Sequence, residues 1–442
     1  MLDQNLSKME LEKINAEYHC FNVIQELQEK NEGKLKGLKI SVKDSICVKN
    51  MESTAGSKIL KGYKPVFHAT AVQKVLSEGA TIIGKTSQDA FGFGSFSMNT
   101  GIGFIQPLNP VDKERVTGGS SGGSACITKL ADFDHVSFGE STGGSIACPA
   151  AYCGVVGFTP TYGRISRYGL IDYGNSLDKL GIVAKTVAKC AEVLEIIAGY
   201  DEKDSTSINK PVEQYSTFLN KDIKGMKIGL IKESLQAGIE PDVKTAFLET
   251  ISKLKDKGAI VEEVSLPLTF KYGISVYYII ALSEASTNLS KLCGMRYGAE
   301  DKVEGSFNEY FSKVRSENFS EEAKRRIILG TFARMSGFRD AYYIKSAKIR
   351  TLIINEHREL FKKYDVLVSP TMPNVAPKIE DVKKLTPLEN YMMDVLTCGP
   401  NLAGLPHISI PVGKQNLPIG FMIIGDQLQE SKIIQIASEV EE

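Results

Sequence analysis

Gly118-Gly119-Ser120-Ser121-Gly122-Gly123-Ser124-Ala125 is followed, after a mixed segment, by Thr142-Gly143-Gly144-Ser145-Ile146. Glycine loses the most backbone entropy on folding and supplies no side chain to pack, so this density is unfavourable for an ordinary core element. Its use is to bring backbone amides close to something. A flexible Gly/Ser linker is one alternative, but the first nest leads into Ala125-Cys126-Ile127 rather than into polar sequence. Two nests can build one site. One would carry a nucleophilic serine with amides for an oxyanion hole, and the other a serine that relays its proton.

A serine nucleophile needs a base. Only His135 is near in sequence, and no GxSxG elbow surrounds Ser145. A lysine can serve if it is buried and neutral, because desolvation disfavours the ammonium. Leu38, Ile40 and Val42 alternate with Lys39, Ser41 and Lys43, which predicts a strand ending at Lys43-Asp44. Lys43 is the candidate base; the residues alone read it equally well as a surface lysine.

The remaining composition narrows the class. The chain has 442 residues, 42% of them hydrophobic, enough for a large core. Lys+Arg and Asp+Glu both number 53, so no field of one sign is available to hold a nucleic acid or an anionic membrane. Any RNA contact would be local or through a partner. The eight cysteines are scattered without a CxxC pair, which favours reduced thiols in the cytoplasm. No HExxH or Cys/His cluster is present, so no metal site is expected. The N-terminus lacks an apolar signal region and no run reaches membrane-span length.

Elsewhere the periodicity is that of an α/β chain. Residues 5–30 carry Leu6, Met9, Leu11, Ile14, Phe21, Ile24 and Leu27, a spacing that predicts a helical N-terminal arm over 1–36. Thr70 is read as the cap of a helix closed by Gly79, before a strand through Ala80-Thr81-Ile82-Ile83. A second amphipathic helix starts at Thr186 and stops at Gly199. Residues 201–215 read as a polar surface connection between lobes. Strand, helix and strand patterns recur at 226–261, residues 275–363 are mostly helical in pattern, and buried strands are expected at 365–368 and 419–424 before a final helix from about Glu430. Strands at both ends suggest that the C-terminal segment completes a sheet begun near Leu38, giving one large domain with an inserted helical lobe. Its parts would be a core at 37–200, an α/β and helical lobe at 222–363 and a sheet-completing segment at 364–442.

Gly79-Ala80-Thr81-Ile82-Ile83-Gly84-Lys85-Thr86 satisfies the phosphate-binding pattern GxxxxGK[ST] letter by letter. A true phosphate loop follows a strand and opens a helix. Here Gly79 closes a helix and the apolar run follows it, so a strand ending near Lys85 is the better reading.

Together, Val42-Lys43-Asp44 and the two nests resemble the three core motifs of the amidase signature family in order and spacing. Within it, Pro149-Ala150-Ala151-Tyr152-Cys153-Gly154 and Pro160-Thr161-Tyr162-Gly163-Arg164 are similar to the A subunits of tRNA-dependent amidotransferases, from about Gly37 onward. The resemblance implies the amidase signature fold, a large mixed β-sheet flanked by helices on both sides, and a Ser, cis-Ser, Lys triad. Ser145 would be the nucleophile, Ser120 the bridge and Lys43 the base, with Thr142, Gly143 and Gly144 as the oxyanion hole. It further implies a glutaminase that passes ammonia on, with Arg326 on the glutamine α-carboxylate, Asp394 on its α-ammonium and Tyr277 beside the amide. A B subunit, the kinase and transamidase, would use ATP and Mg and hold the misacylated tRNA; a small C subunit would accompany it, and this chain would need no cofactor of its own. A freestanding amidase of small or aryl amides is the alternative. The pattern departs from the family at Ser141, where Asp is usual, at Ala147, where Arg is common, and by one extra residue between Ser120 and Ser145.

Overall fold

The computed structural model describes residues 2–236, 238–413 and 416–441. One mixed sheet runs through them. Its strands are β1 (Phe21–Leu27), β2 (Lys39–Lys43), β3 (Thr81–Thr86), β4 (His135–Ser141), β5 (Val156–Thr159) and β6 (Lys179–Ala184). They continue with β7 (Lys227–Ile231), β8 (Ile260–Val264), β9 (Val366–Pro370), β10 (His407–Val412) and β11 (Ile419–Gly425). The spatial order is β1-β3-β2-β4-β6-β5-β10-β11-β9-β7-β8. β2 runs parallel to β3 and β4, β7 runs parallel to β8 and β9, and the other pairs are antiparallel. The C-terminal strands therefore extend the sheet that β2 begins.

Helices cover both faces. On one, Ile40, Val42, Val136 and Phe138 pack with Val72, Val75 and Leu76 of helix Thr70–Ser77 and with Val187 and Leu194 of helix Val187–Ile197. On the other lie the short helices Gly122–Leu130 and Ala147–Cys153, where Ala125, Ile146, Ala150 and Cys153 meet Val183. The polar face of β2 is thus internal: Ser41 and Lys43 have no exposed surface. Polar groups so placed must find partners, and the Ser41 hydroxyl bonds Ser137 Oγ at 2.8 Å and lies 3.1 Å from His135 Nε2. Between β8 and β9, helices Pro267–Asn288, Phe307–Asn318, Glu321–Arg334 and Lys345–Phe361 form a lobe with its own core, which also takes in Phe91, Phe93 and Tyr173 from the sheet side.

Two sequence expectations change. The N-terminal arm is helical only over Leu2–Tyr18; His19 adopts φ 54 and residues 21–27 form strand β1. The register between β1 and β3 shifts twice, between Phe21 and Val23 and again between Ile24 and Leu27. Those irregularities break the strand alternation and leave Phe21, Ile24 and Leu27 at a helix-like spacing. Thr70 is the first helical residue rather than the cap, and its hydroxyl donates to Asp201 Oδ2 at 2.5 Å. The connection over 201–215 is pinned to the core, since Asp201 also accepts from Ser166, Asp204 from the Arg167 amide, and Arg164 bonds Tyr215. The phosphate pattern follows its expected reading. As expected, Gly79 to Thr86 leads into a strand, but Lys85 is fully buried inside it, donating to Ser53 Oγ at 2.7 Å and pairing with Asp44. Gly84 is there because any side chain would strike the Val23 carbonyl of the neighbouring strand. Both halves of the pattern have structural causes.

Candidate active site

Parallel strands β3, β2 and β4 end on one edge, where loops of open α/β sheets gather functional groups. Lys43 is the last residue of β2, and its Nζ lies 2.7 Å from Ser120 Oγ, 2.9 Å from the Glu140 carbonyl oxygen and 2.9 Å from Glu140 Oε2. The lysine is therefore internal, which resolves the choice left open by its sequence. Ser120 precedes helix Gly122–Leu130, and the Gly119–Ser120 peptide bond is cis. The Ser121 amide donates to the Ser145 carbonyl at 3.2 Å, joining the two glycine nests. Ser145 is 6% exposed, whereas Lys43 and Ser120 are wholly buried.

Support for Ser120 comes from a residue that the sequence did not single out. Asp89 accepts from the amides of Ser97 at 3.0 Å and Asn99 at 2.7 Å, while its own amide donates to the Ser120 carbonyl. Any side chain on Gly119 would collide with the Asp89 carboxylate and with the Phe96 and Ser97 amides, which is why this nest is glycine. Burial pushes the Asp89 carboxyl up to about 6, against the two amides that favour its ionised form.

The second nest is held by its carbonyls, leaving its amides free. The Gly143 oxygen accepts from Ser141 Oγ at 3.0 Å and from Asn401 Nδ2. Ser141 thus holds this loop where the family pattern has Asp. Among the described residues, the amides of Thr142, Gly143 and Gly144 donate to no protein oxygen. Buried N–H groups without partners are rare, and three in succession beside a serine suit a developing oxyanion. Ala147, the other departure, is buried as the first residue of helix Ala147–Cys153.

The three residues tied by resemblance to glutamine converge from separate elements. Tyr277, on helix Pro267–Asn288, lies so close to the second nest that a Cβ on Gly143 would sit 2.8 Å from its ring carbon Cζ and its hydroxyl. A Cβ on Gly144 would lie 3.4 Å from Asp394 Oδ1. Asp394 accepts from Tyr278 at 2.7 Å and from Ser95 Oγ at 3.1 Å, and burial raises its carboxyl above the ordinary range against those bonds. Arg326 is not on a solvated helix face. Although Arg325 beside it reaches solvent, Arg326 is 3% exposed and boxed by Phe93, Tyr173, Tyr278 and Tyr391, with its centre 4.9 Å from the Phe93 ring. Its Nε donates to Glu322 Oε1 at 2.8 Å and another nitrogen donates to the Tyr173 hydroxyl at 2.6 Å. A carboxylate therefore already lies against the guanidinium. A cavity of about 440 Å³, lined by Arg326, Glu322, Asp89, Ser95 and Tyr391, opens onto this box. Ser145 is not part of its lining.

Glu140, Asp89, Glu322 and Tyr278 were missed by sequence reasoning, as was Asp178, whose Oδ1 accepts from Thr142 Oγ1 at 2.9 Å. Glu140 alone had a signal, an acidic residue just before the departure at Ser141; the others lie in segments without a motif. No group of His, Cys, Asp and Glu able to hold a metal occurs among the described residues.

A buried lysine touches a serine hydroxyl beside a second serine on a joined glycine nest and a row of unpaired amides, and the family model described as Amidase matches residues 12–434. The chain belongs to the amidase family. Among known proteins, it is similar to the glutamyl-tRNA(Gln) amidotransferase A subunit of Sulfurihydrogenibium sp., at 46% identity over 91% of this chain and 82% of that protein. The protein of the same name from Staphylococcus epidermidis is 47% identical over 95% of this chain and 86% of its own length. In three dimensions, the crystal structure of the glutamyl-tRNA(Gln) amidotransferase A subunit from Thermotoga maritima superposes with a TM-score of 0.83 at 37% identity, covering 97% of this chain and 89% of that one.

Proposed function

We propose that this chain is the glutaminase subunit of a tRNA-dependent amidotransferase. Ser145 Oγ attacks the side-chain amide carbon of glutamine while its proton passes to Ser120 Oγ, and the Ser120 proton passes to Lys43 Nζ. The oxyanion meets the amides of the second nest, each such donor typically contributing about 3 kcal/mol. Collapse returns the proton to the leaving nitrogen, releasing ammonia and a γ-glutamyl ester on Ser145 that water then hydrolyses. The observation that carries this reading is the 2.7 Å contact between the buried Lys43 amine and Ser120 Oγ, within a nest whose next amide grips the Ser145 carbonyl.

Recognition of glutamine follows from opposite charges. A guanidinium has five N–H donors, so Arg326 retains some beyond those engaged by Glu322 and Tyr173 for an α-carboxylate. Asp394, close to Gly144, answers the α-ammonium. A simple amide has no zwitterion for this pair. The ammonia would serve the conversion of Glu-tRNA(Gln), and of Asp-tRNA(Asn) where the partner accepts it, on a B subunit that binds ATP, Mg and the tRNA, together with a C subunit. Continuity of one sheet from β1 to β11 supports reading the chain as a single domain, and balanced charge supports leaving the tRNA to the partner in the cytoplasm. No described helix is long and apolar enough to cross a membrane. The test is ammonia release from glutamine by the chain co-expressed with its B and C subunits. Glutamine turnover is expected, whereas turnover of simple amides with none of glutamine contradicts the proposal.

A further inference from the structure

We propose that Glu140 and Asp178 share one proton across the Thr142 hydroxyl and thereby set whether the Lys43 amine is charged or free to act as a base. The inference rests on the assignment of Lys43 and Ser145 above. Thr142 Oγ1 lies 2.9 Å from Glu140 Oε1 and 2.9 Å from Asp178 Oδ1. A threonine hydroxyl carries a single hydrogen. Between two ionised carboxylates, one of these contacts would set lone pair against lone pair inside the protein. A proton on one carboxyl completes both bonds: the acid donates to Thr142 Oγ1, and Thr142 donates to the carboxylate.

Burial makes the shared proton necessary as well as geometrically apt. Asp178 has no exposed surface and Glu140 is 2% exposed. Two carboxylates this close in a buried site do not both ionise readily. Asp178 is held by the amides of Tyr173 at 2.8 Å and Gly174 at 3.0 Å, yet burial and Glu140 together push its carboxyl well above the ordinary range. Glu140 touches the base directly, through Oε2 and through its backbone carbonyl. With three neighbours, Lys43 Nζ suits either state. A neutral amine donates to the two Glu140 oxygens and accepts from Ser120; an ammonium donates to all three. The charge on Glu140 decides between them, because an adjacent anion favours the ammonium. The other charged group that acts on the amine is Asp89, from the segment after β3, which Arg326 acts on in turn; Asp44, next to Lys43 in the chain, is paired with Lys85, and Asp394 feels Arg326. These are common to all the variants below. Glu140 is accordingly a positioning residue that acts through Lys43.

The measurement is the rate at which a fluorophosphonate labels Ser145 as a function of pH, with the chain co-expressed with its partners. Ser145 Oγ bonds phosphorus and fluoride leaves, so the readout needs no glutamine. In Glu140→Gln the acid limb of the profile is expected to move to lower pH by about one unit or more, a tenfold gain in rate at the foot of the limb relative to the plateau. In Asp178→Asn the neutral amide stands in for the protonated acid and leaves the charge on Glu140, so the limb is expected to stay where the wild type has it. A limb that stays in place in Glu140→Gln, or that moves in Asp178→Asn, overturns the proposal. If Glu140→Gln does not fold, Asp178→Asn decides alone: a limb in its wild-type place supports the proposal, and a limb that moves overturns it. A wild-type chain that is not labelled on Ser145 overturns the triad assignment itself, a result distinguishable from an unshifted limb.

Discussion

Lys179 shows at the scale of one residue what burial does to a charge. It opens β6 with 2% of its surface exposed, and its Nζ donates to the Leu405 carbonyl at 2.8 Å. Burial lowers its amine from the ordinary value of 10.5 to about 7, against a weaker pull from Glu430. Between about 7 and 10.5 the unfolded chain binds a proton that the folded chain does not, so stability rises with pH across that window and the penalty is full below it. Lys179→Met should be more stable than wild type at pH 7 and lose part of this slope, as read from urea unfolding at pH 7 and pH 9; an unchanged slope would show that the fold tolerates the charge. The same scale explains what was legible. Lys43, Ser120 and Ser145 stand in motifs whose glycine density has no ordinary structural use. Glu140 and Asp178 gain meaning only when Thr142 comes between them, a proximity that no local pattern encodes.

Elements were readable where one face alone is buried. Helix Val187–Ile197 was evident because its apolar residues follow a single stripe, and Thr186 caps it by accepting from the Lys189 amide. Strands β4 and β6 carry no such signal. Every residue of both is buried, so β4 places Ser137, Glu140 and Ser141 inside and its alternation does not divide inside from outside. The loop after β4 sits against helix Pro267–Asn288 from the inserted lobe, and Gly143 is where they touch. Gly143→Ala would place a Cβ 2.8 Å from Tyr277 Cζ, moving the ring or the amides proposed to face the oxyanion. A displacement near 1 Å typically costs about 10²-fold in rate. A fall of that order in kcat is expected, with partial recovery in the double variant Gly143→Ala, Tyr277→Ala; full activity in the single variant would contradict the close approach.

Across the whole molecule, chain-distant segments have to meet for the site to exist. The sheet brings β2 beside β4, the lobe carries Tyr277 and Arg326, and the segment before β10 brings Asp394 and Asn401. That the C-terminal strands complete the N-terminal sheet was legible from buried apolar runs at both ends, but their order was not, because register and neighbours are set by contacts between distant strands. On the proposed function, what unites these parts is covalent chemistry at Ser145 Oγ. The most direct measurement is mass analysis of peptides from the chain with its partner subunits, acid-quenched during glutamine turnover. A γ-glutamyl adduct on the peptide containing Ser145, absent in Ser145→Ala together with ammonia release, is the expected result. An adduct on another residue, or glutamine hydrolysis at the wild-type rate by Ser145→Ala, would contradict it.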